Sequence, residues 1–292
     1  MIVVTTPTGQ IGRQLVDRLL TSGKSLRLIA RDPNRLDPGV RERVEVVQGS
    51  HSDADVVDKA FAGADTVFWL PVANFQAESL DAAYLDFTRP ACTALKTHGV
   101  TRVVGISAVG RGFTTNAGYV TASLAMDDMI AATGVHHRAL TMPSFMDNML
   151  RQAESIKDQG VFFGTEDPDR KAPTCATRDI AAAAAKLLID DTWTGTGSVS
   201  VLGPEDLTLN EQAEIMSEVL ARPVRYQQIP VEDYRANLLA NGFSEAMAAG
   251  MVDMMVAKNN GLDNIEPRTP ESSSPTTFRE WCQDVLKPAV LG

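Results

Sequence analysis

"MIVVTTPTGQIGRQLVDRLL", residues 1–20, decides the fold. Ile2, Val3 and Val4 read as a short buried strand, and a turn punctuated by Gly9 and Gly12 runs directly into a helical pattern from about residue 12 to 22. A glycine turn between a strand and a helix is the setting in which a pyrophosphate binds, because the first N–H groups of the helix are unpaired and carry partial positive charge. In the spacing Thr6-x-x-Gly9-x-x-Gly12, Gly9 lets a phosphate approach the backbone and Gly12 lets the helix approach the strand. Thr6 stands where such turns usually carry a glycine. It serves only if its φ stays negative, and its hydroxyl then offers an extra hydrogen bond.

Outward from this turn, strand-like runs alternate with helical patterns. The strands are "LRLIA" (26–30), "VEVV" (44–47), "TVFWL" (66–70), "VVGIS" (103–107) and "HRALTM" (137–142); helices are expected near 54–62, 80–97 and 119–132. This βαβ rhythm predicts an α/β fold: a Rossmann-type doubly wound parallel sheet with helices on both faces. The expected core covers residues 1–155 and is completed by about 173–203. Residues 156–172 and 204–292 are expected to form a smaller, mostly helical C-terminal substrate lobe. Within the later chain, "VFFGTEDPDRKAPTCATRD" (161–179) reads as loop, Asp179 as the N-cap of an alanine-rich helix, and Thr208 with Glu211 as a capping box. Met247, Met251, Met254 and Met255 stud a helix over 244–258, either as helix packing or as an apolar wall for a flat substrate. "NNGLDNIEPRTPESSSP" (259–275) reads as disordered, and residues 276–290 as a closing helix.

Composition narrows the function classes. With 27 Lys and Arg against 37 Asp and Glu the formal charge is −10 and no dense basic run exists, which argues against direct nucleic-acid binding. Cys92, Cys175 and Cys282 are odd in number and lack CxxC spacing, so a reducing, cytoplasmic setting is expected. No run of about 18 apolar residues suggests a membrane span. The four histidines lack metal-ligand spacing, the neighbours His136 and His137 should face opposite sides of a strand, and no metal is expected.

Strand two ends in "ARDP" (30–33). An acid at this position would bond the ribose 2′-hydroxyl of NAD; Arg31 is suited to clamp the 2′-phosphate of NADP(H), which favours NADP(H) over NAD(H). The plainer alternative is a surface arginine paired with Asp32 or capping a turn.

The ordered set "TPTGQIGRQL", "ARDP", "VEVVQGSHSDADVVDKAFAGADTVFWL", "VTRVVGISAVG", "LTMPSFMDNML", "TRDIAAAAAKLL" and "TPESSSPTTFREW" resembles the NmrA-like branch of the atypical short-chain dehydrogenase/reductases over nearly the whole chain. The resemblance implies an NADP(H) site with Thr8, Gly9, Gln10, Ile11 and Gly12 at the pyrophosphate, Arg31 at the 2′-phosphate and Ser50 near adenine. It further implies Leu70, Pro71 and Val72 along the ribose, and Pro143, Ser144 and Phe145 bordering the nicotinamide. Ser50 departs from the aspartate common in relatives, and "PSFMDN" (143–148) equally suits a turn whose Phe145 and Met146 fill the core. The family holds quinone or enone reductases as well as non-catalytic sensors.

Two residues stand as catalytic candidates. Short-chain reductases protonate substrate with a tyrosine acidified by a lysine four residues later; here Tyr119 is followed by Ser123, which brings no charge. Asp127 and Asp128 are expected to form a solvated face. Ser107, at the carboxyl end of the fifth strand, is placed to hold a substrate oxygen or to cap the next turn. Without the lysine, a conjugated acceptor is favoured, since its oxyanion is delocalised and needs only simple hydrogen-bond donors. The sequence thus points to an NADPH-dependent oxidoreductase acting on a quinone or conjugated carbonyl. The alternatives are a non-catalytic NADP(H) sensor and a tailoring reductase/oxygenase that reduces an aromatic polyketide-type quinone so that oxygen reacts with the resulting hydroquinone. A small aromatic partner is implied, and a homodimer or a helper protein is compatible with this reading.

Overall fold

The computed structural model describes residues 1–72 and 74–292. The strands are β1 (Ile2–Val4), β2 (Leu26–Ala30), β3 (Glu45–Gln48), β4 (Thr66–Trp69), β5 (Arg102–Ile106), β6 (His136–Thr141), β7 (Ser144–Phe145), β8 (Val161–Gly164), β9 (Ala172–Cys175), β10 (Thr196–Ser200), β11 (Asp206–Leu207) and β12 (Arg225–Gln228). The helices are α1 (Gln10–Leu19), α2 (Pro38–Arg41), α3 (Ala54–Phe61), α4 (Phe87–Thr97), α5 (Tyr119–Ala131), α6 (Ala153–Gln159), α7 (Thr177–Ile189), α8 (Leu209–Leu220), α9 (Val231–Ala240), α10 (Glu245–Asn259), α11 (Phe278–Trp281) and α12 (Lys287–Leu291). The chain divides into two compact units: Met1–Ala108 with Ala122–Thr141 and Ile180–Val199, and Val109–Thr121 with Met142–Asp179 and Ser200–Gly292.

The first unit is built on a seven-stranded sheet in the order β10-β6-β5-β4-β1-β2-β3. β1 to β6 pair in parallel, with Ile2 opposite both Leu26 and Thr66. Every residue of β1 and β4 is buried, as expected of central strands covered on both faces. Val3, Val67, Trp69 and Val103 pack with Phe61, Leu95 and Ile130 into one core layer. The chain winds from β1 out to β3 and returns to β4 on the other side, so the connections diverge between β1 and β4. A crevice at that point, beyond the carboxyl ends of the strands, is where such sheets bind ligands. The helix expected over 80–97 does form, but it widens into a π turn at Ala82–Asp86 just before Pro90, which lacks the N–H that would bond the Asp86 carbonyl.

The second unit carries a three-stranded sheet, β11-β9-β7, a parallel pair, β12-β8, and a core that includes Phe162, Met216, Leu220, Phe278, Trp281 and Leu286. The capping box is present: Thr208 Oγ1 accepts from the Glu211 N–H at 3.0 Å, and the Glu211 carboxylate accepts from the Thr208 N–H at 2.8 Å. Met247 is fully buried, while Met251, Met254 and Met255 are half-buried.

Three local expectations are corrected here. Residues 161–179 contain β8 and β9, because short strands interrupted by polar turns leave no long alternation to read. Asp179 lies inside α7, where its carboxylate accepts from the N–H and hydroxyl of Thr276 at 3.0 and 2.9 Å instead of capping the helix. Residues 259–275 are ordered: Leu262 is buried, Lys258 and Asp263 form a buried ion pair at 2.6 Å, and the Ser272 carbonyl accepts from the Leu202 N–H at 2.8 Å. Long-range partners hold a segment whose own composition would leave it loose.

Candidate functional site

The divergence point between β1 and β4 is stitched by a residue the motif reading passed over. Thr5, fully buried at the end of β1, donates its hydroxyl to the Phe68 carbonyl at 3.0 Å and accepts the Leu70 N–H at 3.0 Å. The Leu70 carbonyl accepts from His51 Nε2 at 2.9 Å, so this backbone unit is held on both sides. Burial, partly offset by the bond to Leu70 and reinforced by the nearby Arg31 charge, lowers His51 from 6.5 to about 4. His51 is therefore a neutral donor at neutral pH, packed edge-on against Trp69 and Phe87. Leu70 and Pro71 are half-buried and Val72 is 42 % exposed, a pre-set wall after β4. The signal for Thr5 was its place at the strand end; nothing local marked His51.

Residues 6–12 form a tight turn in which the Gly9 N–H donates to the Thr6 carbonyl at 3.1 Å. Thr6 has φ +52°, contrary to the expectation of a negative value, because the turn requires left-handed backbone whichever residue fills it. For a β-branched residue this is strained, a condition that concentrates at functional sites. A Cβ on Gly12 would lie 2.0 Å from the Thr6 carbonyl oxygen, so the close approach of α1 to the turn needs glycine there. A Cβ on Gly9 would come no nearer than 3.4 Å to any neighbour, so the protein's own packing does not demand that glycine.

This turn fits a dinucleotide diphosphate on three observations. The N-cap of α1, Gly9, makes no side-chain cap, and its first turn carries no acid. Thr6 Oγ1 is a buried hydroxyl with no hydrogen-bond partner among the described residues. Gly9 is exposed and has no side chain, so a phosphate can approach its backbone. Thr8 is half-buried and Gln10 exposed, while Ile11 is buried in the core and can offer the ligand only its backbone.

Arg31 follows β2, is exposed and makes no ion pair among the described residues; Asp32, its suggested partner, accepts the Asn34 N–H at 3.0 Å as a helical cap. Its guanidinium is thus uncommitted beside His51. Ser50, after β3, spends its hydroxyl locally, 2.8 Å from Ser52 Oγ.

At the end of β5 the structure gathers what the sequence left apart. Ser107 is 6 % exposed and donates its hydroxyl to Asp127 Oδ2. Asp127 Oδ1 lies 3.9 Å from Nε2 of His137, which reaches it from β6. Asp127 is only 2 % exposed, which overturns the solvated-face expectation; Asp128 alone is exposed, because successive helical residues turn by about a quarter of the circumference. His136 and His137 do face opposite ways, His136 Nδ1 accepting the Gly195 N–H at 3.0 Å. Ser123 is buried in α5, so the position that holds lysine in short-chain reductases carries no charge.

In the second unit, Tyr119 is buried at the first residue of α5. Pro143 is buried, and Ser144 and Phe145 form β7, paired with Thr174 and Cys175 of β9. Met146 is buried as core and Phe145 is half-buried. Asp147 anchors the segment by accepting from the N–H and hydroxyl of Thr177 at 3.0 and 2.8 Å. Among the described residues, no group of three His, Cys, Asp or Glu is placed to hold a metal ion, and no helix is long and apolar enough to cross a membrane.

Comparison with known proteins matches this architecture. A family model described as NAD(P)H-binding covers residues 7–191, and one described as NmrA-like covers residues 124–282. The chain is 30% identical over 292 residues, 96% of each protein, to the (4-alkanoyl-5-oxo-2,5-dihydrofuran-3-yl)methyl phosphate reductase of Streptomyces griseus subsp. griseus. It is 22% identical to quinone oxidoreductase 2 of Escherichia coli over 95% of each chain. The crystal structure of that NADPH-dependent enzyme with NADPH superimposes at a TM-score of 0.77, covering 96% of this chain and 98% of that one. The triphenylmethane reductase of Citrobacter sp. complexed with NADP(H) superimposes at 0.79 with 18% identity, covering 99% and 100%. With a cradle suited to a dinucleotide, a doubly wound sheet, and reductases among the relatives that span its length, the chain belongs to the NmrA-like family of NAD(P)H-binding proteins.

Proposed function

We propose that the chain is an NADPH-dependent oxidoreductase that delivers hydride to a quinone or another conjugated carbonyl acceptor. The cofactor, when bound, supplies the hydride. The backbone of residues 6–12 receives the pyrophosphate, Thr6 adds its hydroxyl, Arg31 selects the 2′-phosphate, and Leu70, Pro71 and Val72 line the ribose. Ser107 holds the substrate oxygen at the carboxyl edge of the sheet. The roles that the family resemblance implies for Tyr119, Ser50, Pro143, Ser144 and Phe145 stand in this proposal unchanged.

The observation that carries the substrate class is the buried Ser123 in place of an acidifying cation. Hydride addition to an isolated ketone leaves a strongly basic alkoxide, which calls for a tuned acid. Addition to a conjugated system spreads the charge onto a far less basic oxygen, so that a proton passed through an uncharged hydroxyl serves in place of a cation-tuned tyrosine. The names of two relatives support this reading: one reduces a quinone, and the other's dihydrofuran carries a ring double bond conjugated with two carbonyls. A reducing cytoplasmic compartment suits the three buried free cysteines; burial pushes the Cys92 thiol up to about 11 and that of Cys282 to about 12.

The test is calorimetry with NADPH and NADH, followed by NADPH oxidation with a benzoquinone, a 2-acylbutenolide and cyclohexanone. Binding that favours NADPH, turnover of the conjugated acceptors and none of cyclohexanone is expected. Equal turnover of cyclohexanone, or binding with no turnover of any acceptor, overturns the proposal.

A further inference from the structure

The Ser107–Asp127–His137 cluster holds more chemistry than a serine that orients a substrate. Its three side chains come from the residue after β5, from α5 and from β6, and all are buried, at 6 %, 2 % and 2 % exposure. The sequence makes room for it at a strand-interior glycine, a position where glycine ordinarily weakens the strand. A Cβ on Gly105 would lie 3.0 Å from His137 Nε2 and 3.9 Å from Asp127 Oδ1, so the imidazole occupies the space the missing side chain leaves. Facing Asp127 are Gly105 of β5, Ser107 just after β5, and His137 of β6. Its helix neighbour Asp128 is exposed, and Arg138 of β6 stacks over Trp193 at 4.7 Å from the ring centroid.

A serine hydroxyl has one proton and two lone pairs. While Asp127 is a carboxylate, that proton is committed to it, and Ser107 can meet a substrate oxygen only as an acceptor. When Asp127 carries a proton, its O–H can donate to Ser107 Oγ and the serine proton turns toward the substrate. The protonation state of one buried carboxyl therefore reverses the polarity of Ser107.

We infer that Asp127, backed by His137, supplies the proton that Ser107 passes to the reduced substrate, so that both are positioning residues acting through the serine. This rests on the role given to Ser107 above. As the substrate oxygen gains negative charge from the arriving hydride, the Ser107 O–H bond breaks and a substrate O–H bond forms. The Asp127 proton moves to Ser107 Oγ, restoring the hydroxyl. The negative charge comes to rest on Asp127 beside His137, and no electrons leave the residues. After product departure the carboxyl is reprotonated from water through the same serine.

The experiment compares wild type with Asp127→Asn, His137→Gln and Ser107→Ala, each checked for NADPH affinity. One readout needs no turnover: in the cofactor-free protein, the 15N-imidazole titration of His137 is expected to move to lower pH in Asp127→Asn, which removes the facing acid. The other is kcat against pH with a benzoquinone. Wild-type kcat is expected to fall about tenfold per pH unit above a midpoint that belongs to the Asp–His pair. Asp127→Asn should lower kcat about 100-fold and flatten the profile, with NADPH affinity unchanged. His137→Gln should move the midpoint to higher pH, because the carboxylate loses its partner. Profiles and His137 titration unmoved in a folded Asp127→Asn overturn the inference; should that variant not fold, an unmoved midpoint in His137→Gln does so. A wild type inert toward every acceptor sinks the proposed function and this inference with it, whereas an active wild type with unmoved variants sinks the inference alone.

Discussion

The turn at residues 6–12 and the cluster at the end of β5 are opposite ways of building a site. The turn is made of backbone, small residues and a helix end, and among the described residues it leaves its groups unspent: α1 has no side-chain cap and the Thr6 hydroxyl has no hydrogen-bond partner. The cluster is made of buried side chains brought together from distant parts of the chain: Ser107 gives its hydroxyl to Asp127, whose other carboxylate oxygen faces His137 Nε2 at 3.9 Å. A surface suited to a charged ligand keeps donors free toward solvent, whereas buried polar groups gather next to one another because solitary burial is costly.

The sharpest break of this contrast sets Gly12 against Gly9. Gly12→Ala drives a Cβ to 2.0 Å from the Thr6 carbonyl oxygen and should cost about 3 kcal/mol or more in urea unfolding. Gly9→Ala should stay within about 1 kcal/mol of wild type while weakening NADPH binding tenfold or more by calorimetry, at about 1.4 kcal/mol per decade. A stable Gly12→Ala with full affinity would contradict the packing argument.

His51 gives the next effect. It titrates at about 4 in the fold and near 6.5 in the unfolded chain, so between these values the unfolded chain binds more protons. Its contribution is intact above pH 6.5 and is lost as pH falls, by about 1.4 kcal/mol per unit and about 3 kcal/mol in all. Urea midpoints at pH 7 and pH 4 should differ less in His51→Gln by about that amount.

Arg31→Asp should weaken NADPH by about 2 kcal/mol, roughly thirtyfold, and leave NADH almost unchanged. Equal losses for both cofactors would remove the phosphate clamp. The smallest effect is expected of Thr6→Gly, which relieves φ +52° and should stabilise the fold by about 1 kcal/mol while loosening NADPH a few-fold. Tighter binding in that variant would show that the hydroxyl plays no part.

The two regions also differ in how far they could be read before the structure. Gly9, Gly12 and Arg31 are close in sequence to the strands and helix that place them, so local spacing announced the turn between β1 and α1. Thr6 was recognised as a departure, yet the sign of its φ was misjudged, since turn geometry is set by the closing contact of α1 and not by the residue's preference. Asp127 read as surface because its neighbour Asp128 is one. His51 and Gly105 carry no local mark, and Thr5 only its place at the strand end, for each is explained by a partner distant in sequence.

The sequence by itself determined the winding order of the strands and helices of the main sheet, the glycine turn between β1 and α1 and the lack of a lysine four residues after Tyr119, because these follow from periodicity, spacing and residue identity. Only the tertiary structure decided that Ser107, Asp127 and His137 meet beneath a glycine, and that residues 259–275 are ordered. Contacts between β5, α5 and β6 depend on register and on which helix face turns inward, and those are fixed by packing the whole sheet at once, not by any short stretch of chain.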